Sequence, residues 1–217
     1  MSDTNPAKSN YTLLIVMALV ALGAGLLIGL WAQRSTVSLE DIDATVLQPP
    51  AVLEDFRLAT HTGSPFTLKS LMGKWSFMFF GYTNCPDVCP TTLNTFTLVD
   101  KYLANKESSP STQVIFVSVD PKRDSVERLS EYVPYFDPEY IGVTGSQADI
   151  NRFTRQLGVL HVRVEQGDNE NYLVNHTSSI LLFNPDGELS ALFSNAPLKA
   201  ADIAENFLKI VQLSSHG

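Results

Sequence analysis

The chain has 217 residues, 44% of them apolar and 18% charged, with a formal net charge of −8. It is long enough to bury a real core and too apolar for a disordered tail. A pI near 4.9 excludes the basic face of a nucleic-acid binder, and two cysteines exclude both a disulfide-rich scaffold and a zinc site of four cysteines.

Residues 1–10 are polar, with Lys8 the only basic side chain, and no charge occurs from Tyr11 to Gln33. Thr12–Trp31 reads TLLIVMALVALGAGLLIGLW. As a helix, about 20 residues rising about 1.5 Å each span about 30 Å, the hydrocarbon thickness of a bilayer. Trp31 falls at the far end, where an interfacial aromatic belongs. A cleavable signal peptide has a shorter apolar run and ends on a small-x-small site, which Leu30-Trp31-Ala32 does not supply. No cysteine follows to carry a lipid. The expectation is a single uncleaved anchor over 11–32, with 1–10 as a short cytoplasmic tail. Gly25 and Gly29 form a GxxxG pair, read here as the ordinary glycine content of such helices. An Arg-rich presequence is absent, which favours a bacterial inner membrane with the globular part in the periplasm.

Residues 33–50 read as a polar spacer ending in Pro49-Pro50, and 51–217 as one globular domain. Val52–Leu58 and Phe66–Leu68 flank a turn at Thr62-Gly63-Ser64. Ser76–Gly81 and Gln113–Val119 are short apolar runs of the kind buried on both faces of a sheet. Thr91–Leu103, Ser125–Phe136, Gln147–Leu157 and Lys199–Leu213 carry apolar residues at helical spacing. Tyr140–Val143 and Val159–Val164 read as strands. Ile180–Phe183 and Leu189–Phe193 make a hairpin across Asn184-Pro185-Asp186-Gly187. Strands alternating with helices predict an α/β fold, its sheet mixed by the terminal hairpin.

Both cysteines lie in one joint between a buried strand and a helix, Gly81-Tyr82-Thr83-Asn84-Cys85-Pro86-Asp87-Val88-Cys89-Pro90. Such joints at the carboxyl edge of a sheet are where α/β folds place their sites. Cys89, at the expected first helical turn, lies near free backbone N–H groups that favour thiolate. A disulfide here would close a ring of about five residues and contribute only about 2 kcal/mol, so it would be a poor staple. A reversible redox pair or a metal pair fits better, and soft sulfur selects Cu(I) or zinc. A metal site needs a further ligand, and the histidines are His61, His161, His176 and His216.

His176-Thr177-Ser178-Ser179 followed by Ile180–Phe183 resembles the part of the thioredoxin fold where a cis-proline loop lies against the active-site cysteines. Ser178 holds the approximate cis-proline position, so His176 is expected to face the cysteine turn. His161 in an alternating strand, His216 near the terminus and His61 beside a Thr-Gly turn are read as ordinary surface or hydrogen-bonded side chains.

Taken together, several motifs resemble the Sco/SenC family. Cys85-Pro86-Asp87-Val88-Cys89-Pro90 is similar to its CxxxC signature, and Phe56 to Leu68 to its opening hairpin. Ser118-Val119-Asp120-Pro121-Lys122-Arg123-Asp124 resembles its second motif, and Tyr172-Leu173-Val174-Asn175-His176-Thr177 its histidine motif, with Pro185-Asp186-Gly187 after it. The resemblance implies a thioredoxin-like fold, and copper held by Cys85, Cys89 and His176. It also implies a metallochaperone role in assembling the dinuclear copper centre of cytochrome c oxidase subunit II. A periplasmic thiol reductase and another copper donor are the further partners expected. Many members carry Asp before the histidine where this chain has Asn175, so Asn175→Asp is expected to tighten Cu(II) more than Cu(I). Rival readings are a thiol–disulfide oxidoreductase using Cys85 and Cys89 without His176, and a peroxidase. The peroxidase is disfavoured because no arginine lies within the cysteine turn.

Overall fold

The computed structural model describes residues 7–32, 38–106, 109–165, 172–194 and 199–215, with no side chains described for 7–10, 12 and 27–32. The amino-terminal tail through Pro6, Trp31's side chain, residues 33–37 and His216 therefore lie outside the described residues. Two compact units make up the chain, 1–38 and Leu39–Gly217. The first is a helix, α1 (Ala7–Ala32), whose described apolar side chains are exposed. Among the described residues, no helix is long and apolar enough to cross a membrane. The apolar stretch with described side chains, residues 13–26, falls short of the roughly 20 residues that a span needs.

In the second unit the strands are β1 (Thr45–Ala51), β2 (Leu58–Thr60), β3 (Pro65–Phe66), β4 (Trp75–Gly81), β5 (Thr112–Ser118), β6 (Ile141–Thr144), β7 (His161–Glu165), β8 (Tyr172–His176), β9 (Ile180–Phe183) and β10 (Leu189–Phe193). The helices are α2 (Val88–Ala104), α3 (Val126–Tyr132), α4 (Gln147–Gln156) and α5 (Ala200–Ser214). Eight strands form one mixed sheet in the order β1-β10-β9-β4-β5-β6-β2-β3. Within it β4, β5 and β6 run parallel, and the remaining pairings are antiparallel. This is the mixed α/β architecture that the motif order predicts.

Every residue of β4 is buried, because helices cover both of its faces. Side-chain alternation sends Phe77 and Phe79 to one face and Phe80 to the other. Phe77 meets Phe96 of α2 at 5.3 Å and Phe207 of α5 at 5.0 Å. Phe80 meets Phe153 of α4 at 6.1 Å. The strand that ends in the cysteine turn is thus clamped from both sides, and its carboxyl end is a fixed platform.

Three elements differ from the sequence reading. The polar stretch expected as spacer up to Pro50 is in its second half the edge strand β1, paired to β10. Prolines are tolerated there because an edge strand has a row of N–H groups that no neighbour needs. Residues 52–57 form no strand, and the opening hairpin is the shorter pair β2–β3, turning through Gly63 at φ +79°. The third is β8, which periodicity does not reveal; it pairs with β7 as a separate two-stranded ribbon, with His161 opposite His176.

Candidate metal centre

The chain leaves β4 at Gly81, passes Tyr82–Asp87, and enters α2 with Cys89 in its first turn. Gly81 is required by what faces it. A Cβ there would lie 2.6 Å from Cys89 Sγ and 2.7 Å from Phe116 Cε2. The missing side chain makes the space in which the Cys89 sulfur sits, 1% exposed. Cys85 is half-buried one turn earlier, and its sulfur accepts the Cys89 backbone N–H at 3.5 Å.

His176 ends β8 and reaches the same place, with Nε2 3.9 Å from Cys89 Sγ. Its Nδ1 lies 2.9 Å from the Thr177 carbonyl oxygen. A carbonyl only accepts, so Nδ1 carries the proton and Nε2 presents its lone pair toward the sulfurs. The Tyr82 ring stands edge-on to the imidazole, centroids 6.2 Å apart. Among the described residues no group of three or more His, Cys, Asp and Glu side chains is gathered closely enough to hold an ion. The two sulfurs and the imidazole are neighbours at hydrogen-bonding reach, and metal–ligand bonds of about 2.0–2.3 Å would need them to close in.

The two thiols are not equivalent. The Cys89 side chain donates to Cys85, and backbone N–H groups of Cys89 and Asp87 also point at the Cys85 sulfur. These outweigh burial and hold the Cys85 thiol far below its ordinary range. The hydrogen bond to Cys85, and then burial, push the Cys89 thiol far up. The expectation that the helix start makes Cys89 the thiolate is therefore reversed. Cys85, just ahead of the helix, collects the donors, and Cys89 keeps its proton to supply one of them.

The second motif supports the site from both sides. Asp124 is fully buried and accepts from the Thr83 backbone N–H at 2.9 Å, Thr83 Oγ1 at 2.7 Å and Ser118 Oγ at 2.6 Å. It ties the cysteine turn to the end of β5; burial raises its pKa against those bonds. Asp120 accepts from the Tyr172 hydroxyl at 2.7 Å and pairs with Arg123. Arg123 donates to the Tyr172 carbonyl at 3.1 Å, and its guanidinium lies 3.6 Å from the Tyr172 ring centroid. Together they fasten the amino end of β8, whose other end is His176. The sequence shows these residues as a motif but not their jobs, because the partners through which they hold the site, Thr83 and Tyr172, lie 41 and 52 positions away along the chain.

The remaining predicted positions separate. His61 is half-buried and not simply exposed, with Nδ1 accepting the Gly142 N–H at 3.0 Å. His161 lies across the ribbon from His176, nearer the site than its sequence context suggests. It also lines a cleft of about 540 Å3 with Lys122, Arg155 and Arg163. Asn175 is exposed and pairs with Val162 on the other face of the ribbon. The expectation that it tunes the metal's field is corrected by this placement, since neighbours on a strand point to opposite faces. Arg128 comes within hydrogen-bonding distance of Thr83, Nε to Oγ1 3.3 Å. An arginine thus approaches the turn through space, although none lies within it in sequence.

Comparison with known proteins decides the family. The SCO1/SenC family model matches residues 44–212. The chain belongs to the SCO1/SenC family. It is 33% identical to the human protein "SCO1 homolog, mitochondrial" over 85% of this chain and 63% of that one. It spans 48% to 78% of the length of the curated relatives compared, and 63% of the human one. The crystal structure of Arabidopsis thaliana ScoI with copper bound superposes with a TM-score of 0.69 at 33% identity, covering 75% of this chain and 99% of that one. BsSco, described as a member of the Sco family of cytochrome c oxidase assembly proteins with a disulfide switch, gives a TM-score of 0.57 at 26% identity over 78% of this chain and 99% of that one. The mixed sheet with flanking helices is thus the thioredoxin-like fold of the Sco family.

Proposed function

We propose that the protein is a copper carrier acting in cytochrome c oxidase assembly, with copper as its cargo and Cys85, Cys89 and His176 as the ligands. The observation that carries this is the meeting of the cysteine turn with the end of β8, Nε2 3.9 Å from Cys89 Sγ. The family membership and a relative solved with copper bound support it. Two sulfurs and one neutral imidazole are a soft donor set suited to Cu(I). Cys85 arrives already deprotonated, and Cys89 must lose its proton for both sulfurs to bind. Three ligands on a half-exposed turn leave the ion open to an incoming thiolate, so transfer can proceed by ligand exchange. The acceptor we assign is the dinuclear copper centre of oxidase subunit II. Reloading the pair after oxidation calls on a thiol reductase and a copper donor.

The charge-free run 12–31 assigns the chain to a membrane as a single-pass anchor, with the globular unit on the periplasmic side of a bacterial inner membrane.

A second reading, thiol–disulfide exchange on the oxidase subunit, is favoured by one observation. The paired thiols have opposed proton affinities, as a redox pair needs. One experiment separates the two. Reduced full-length chain should bind one Cu(I), and Cys85→Ser or Cys89→Ser should abolish tight binding. His176→Ala should weaken Cu(I) binding and oxidase assembly while leaving the thiols oxidisable. Full oxidase assembly by His176→Ala would transfer the function to thiol exchange.

A further inference from the structure

His161 and His176 are opposed residues at the end of the β7–β8 ribbon. Their pairing type follows from the hydrogen bonds beside them. The Thr177 N–H donates to the Leu160 carbonyl at 2.9 Å, and the Leu160 N–H donates to Thr177 Oγ1 at 3.1 Å. Leu160 and Thr177 thus form the hydrogen-bonded pair, and the next pair along, His161 and His176, is non-hydrogen-bonded. Directly opposed side chains in such a pair share one face, with Cβ atoms about 4.5–5.5 Å apart. On β8 that face is the inner one, since Tyr172 and Val174 are buried while Asn175 is exposed; on β7 the same face carries half-buried His161 and then exposed Arg163 and Glu165. His161 is half-buried there, beside the cleft already described. Two imidazoles on one face at this spacing can converge on one ion, and imidazole nitrogen suits Cu(II) and Zn(II), where paired sulfurs suit Cu(I).

We propose that His161 and His176 form a second, bis-imidazole metal site for Cu(II), overlapping the thiolate set at His176. The inference deepens the copper reading, sharing one ligand with it. His176 has a single Nε2 lone pair free, because Nδ1–H is committed to Thr177. The two sets are therefore filled one at a time, with one copper per chain in either. A Cu(II) ion on the imidazole pair lies one ligand exchange away from the sulfurs.

The test removes the sulfurs and titrates the full chain in detergent with Cu(II) alone. The Cys85→Ser/Cys89→Ser variant should bind one Cu(II) with two nitrogens visible in its EPR hyperfine pattern. Adding either His161→Gln or His176→Gln should weaken binding about 100-fold, the low end of the gain from holding two binding groups together. His61→Gln in the same background should change nothing. If the serine variant lacks a cooperative melting transition, chemically oxidised wild type, its sulfurs tied as a disulfide, takes its place. A one-nitrogen spectrum, or equal Cu(II) affinity with and without His161, overturns the proposal. Failure of the copper-carrier reading shows separately, as absence of cysteine-dependent Cu(I) binding in reduced wild type.

Discussion

Cys85 and Cys89 sit four positions apart on one turn, and their surroundings give them opposite proton affinities. The donors converge on Cys85, while Cys89 is buried under Gly81 and Phe116. Iodoacetamide should therefore label Cys85 at a nearly flat rate from about pH 8 to about pH 5, whereas an ordinary thiol slows about tenfold per unit below its pKa. Cys89 should be labelled only on unfolding. Peptide mass spectrometry reads both, and a tenfold-per-unit decline at Cys85 would refute the arrangement. Cu(I) loading near neutral pH should then release about one proton, from Cys89, and not two. Asn175 belongs to the same scale with the opposite expectation. Its side chain leaves the ribbon on the outer face, so Asn175→Asp should shift Cu(I) and Cu(II) affinity by no more than about 0.5 kcal/mol, the range of remote surface changes. Competition titrations in both oxidation states check this, and selective tightening of Cu(II) would place the side chain toward the metal after all.

At the scale of elements, the buried strands and the hairpin across Asn184–Gly187 are legible in the sequence, because each is a short apolar run bounded by turn residues. Ile180–Phe183 and Leu189–Phe193 coincide with β9 and β10. β8 is hidden for a physical reason. In Tyr172–His176 only the alternate residues Tyr172 and Val174 are buried, both in the main apolar core, with Asp120 and Arg123 clasping Tyr172, and two apolar positions are too short a pattern to mark a strand. The cysteine turn was legible from composition alone, and His176 through resemblance. Neither route shows His161, whose closeness to the site exists only once β7 pairs with β8. The clasp makes a prediction about the ribbon. Tyr172→Phe removes the hydroxyl that donates to Asp120 and should cost about 1–3 kcal/mol in local stability, the penalty of leaving a buried acceptor short of a partner. Amide exchange should speed up across 172–176, and Cu(I) affinity should fall, while the Cys85 labelling rate stays as in wild type. Unchanged exchange in β8 would mean that Arg123 alone holds the ribbon.

At the scale of the whole molecule, the near-zero mean hydropathy (+0.03) averages an apolar first unit with an acidic second one. The globular unit from Leu39 onward contains the sheet, both covering layers and every predicted ligand. The side chains named at the site all belong to the second unit. The first unit's sequence has no charged residue between Tyr11 and Gln33, and the described side chains of 13–26 are exposed all round the helix, so no face is set apart for packing on a protein core. Exposed to water, such a surface would be an aggregation hazard; in hydrocarbon, every backbone polar group of a helix is satisfied internally. The expected outcome is that the full chain pellets with membranes and resists extraction by alkaline carbonate, while detergent releases it. In spheroplasts, protease added from outside should cut between the two units and free the globular part. A chain that begins at Leu39 should stay in the supernatant, show a cooperative melt and bind Cu(I) with the affinity of the full chain, since the ligands and their supports all lie beyond that point. Carbonate extraction of the full chain would refute the anchor. Loss of Cu(I) affinity on removing residues 1–38 would show that the helix does more than tether the site.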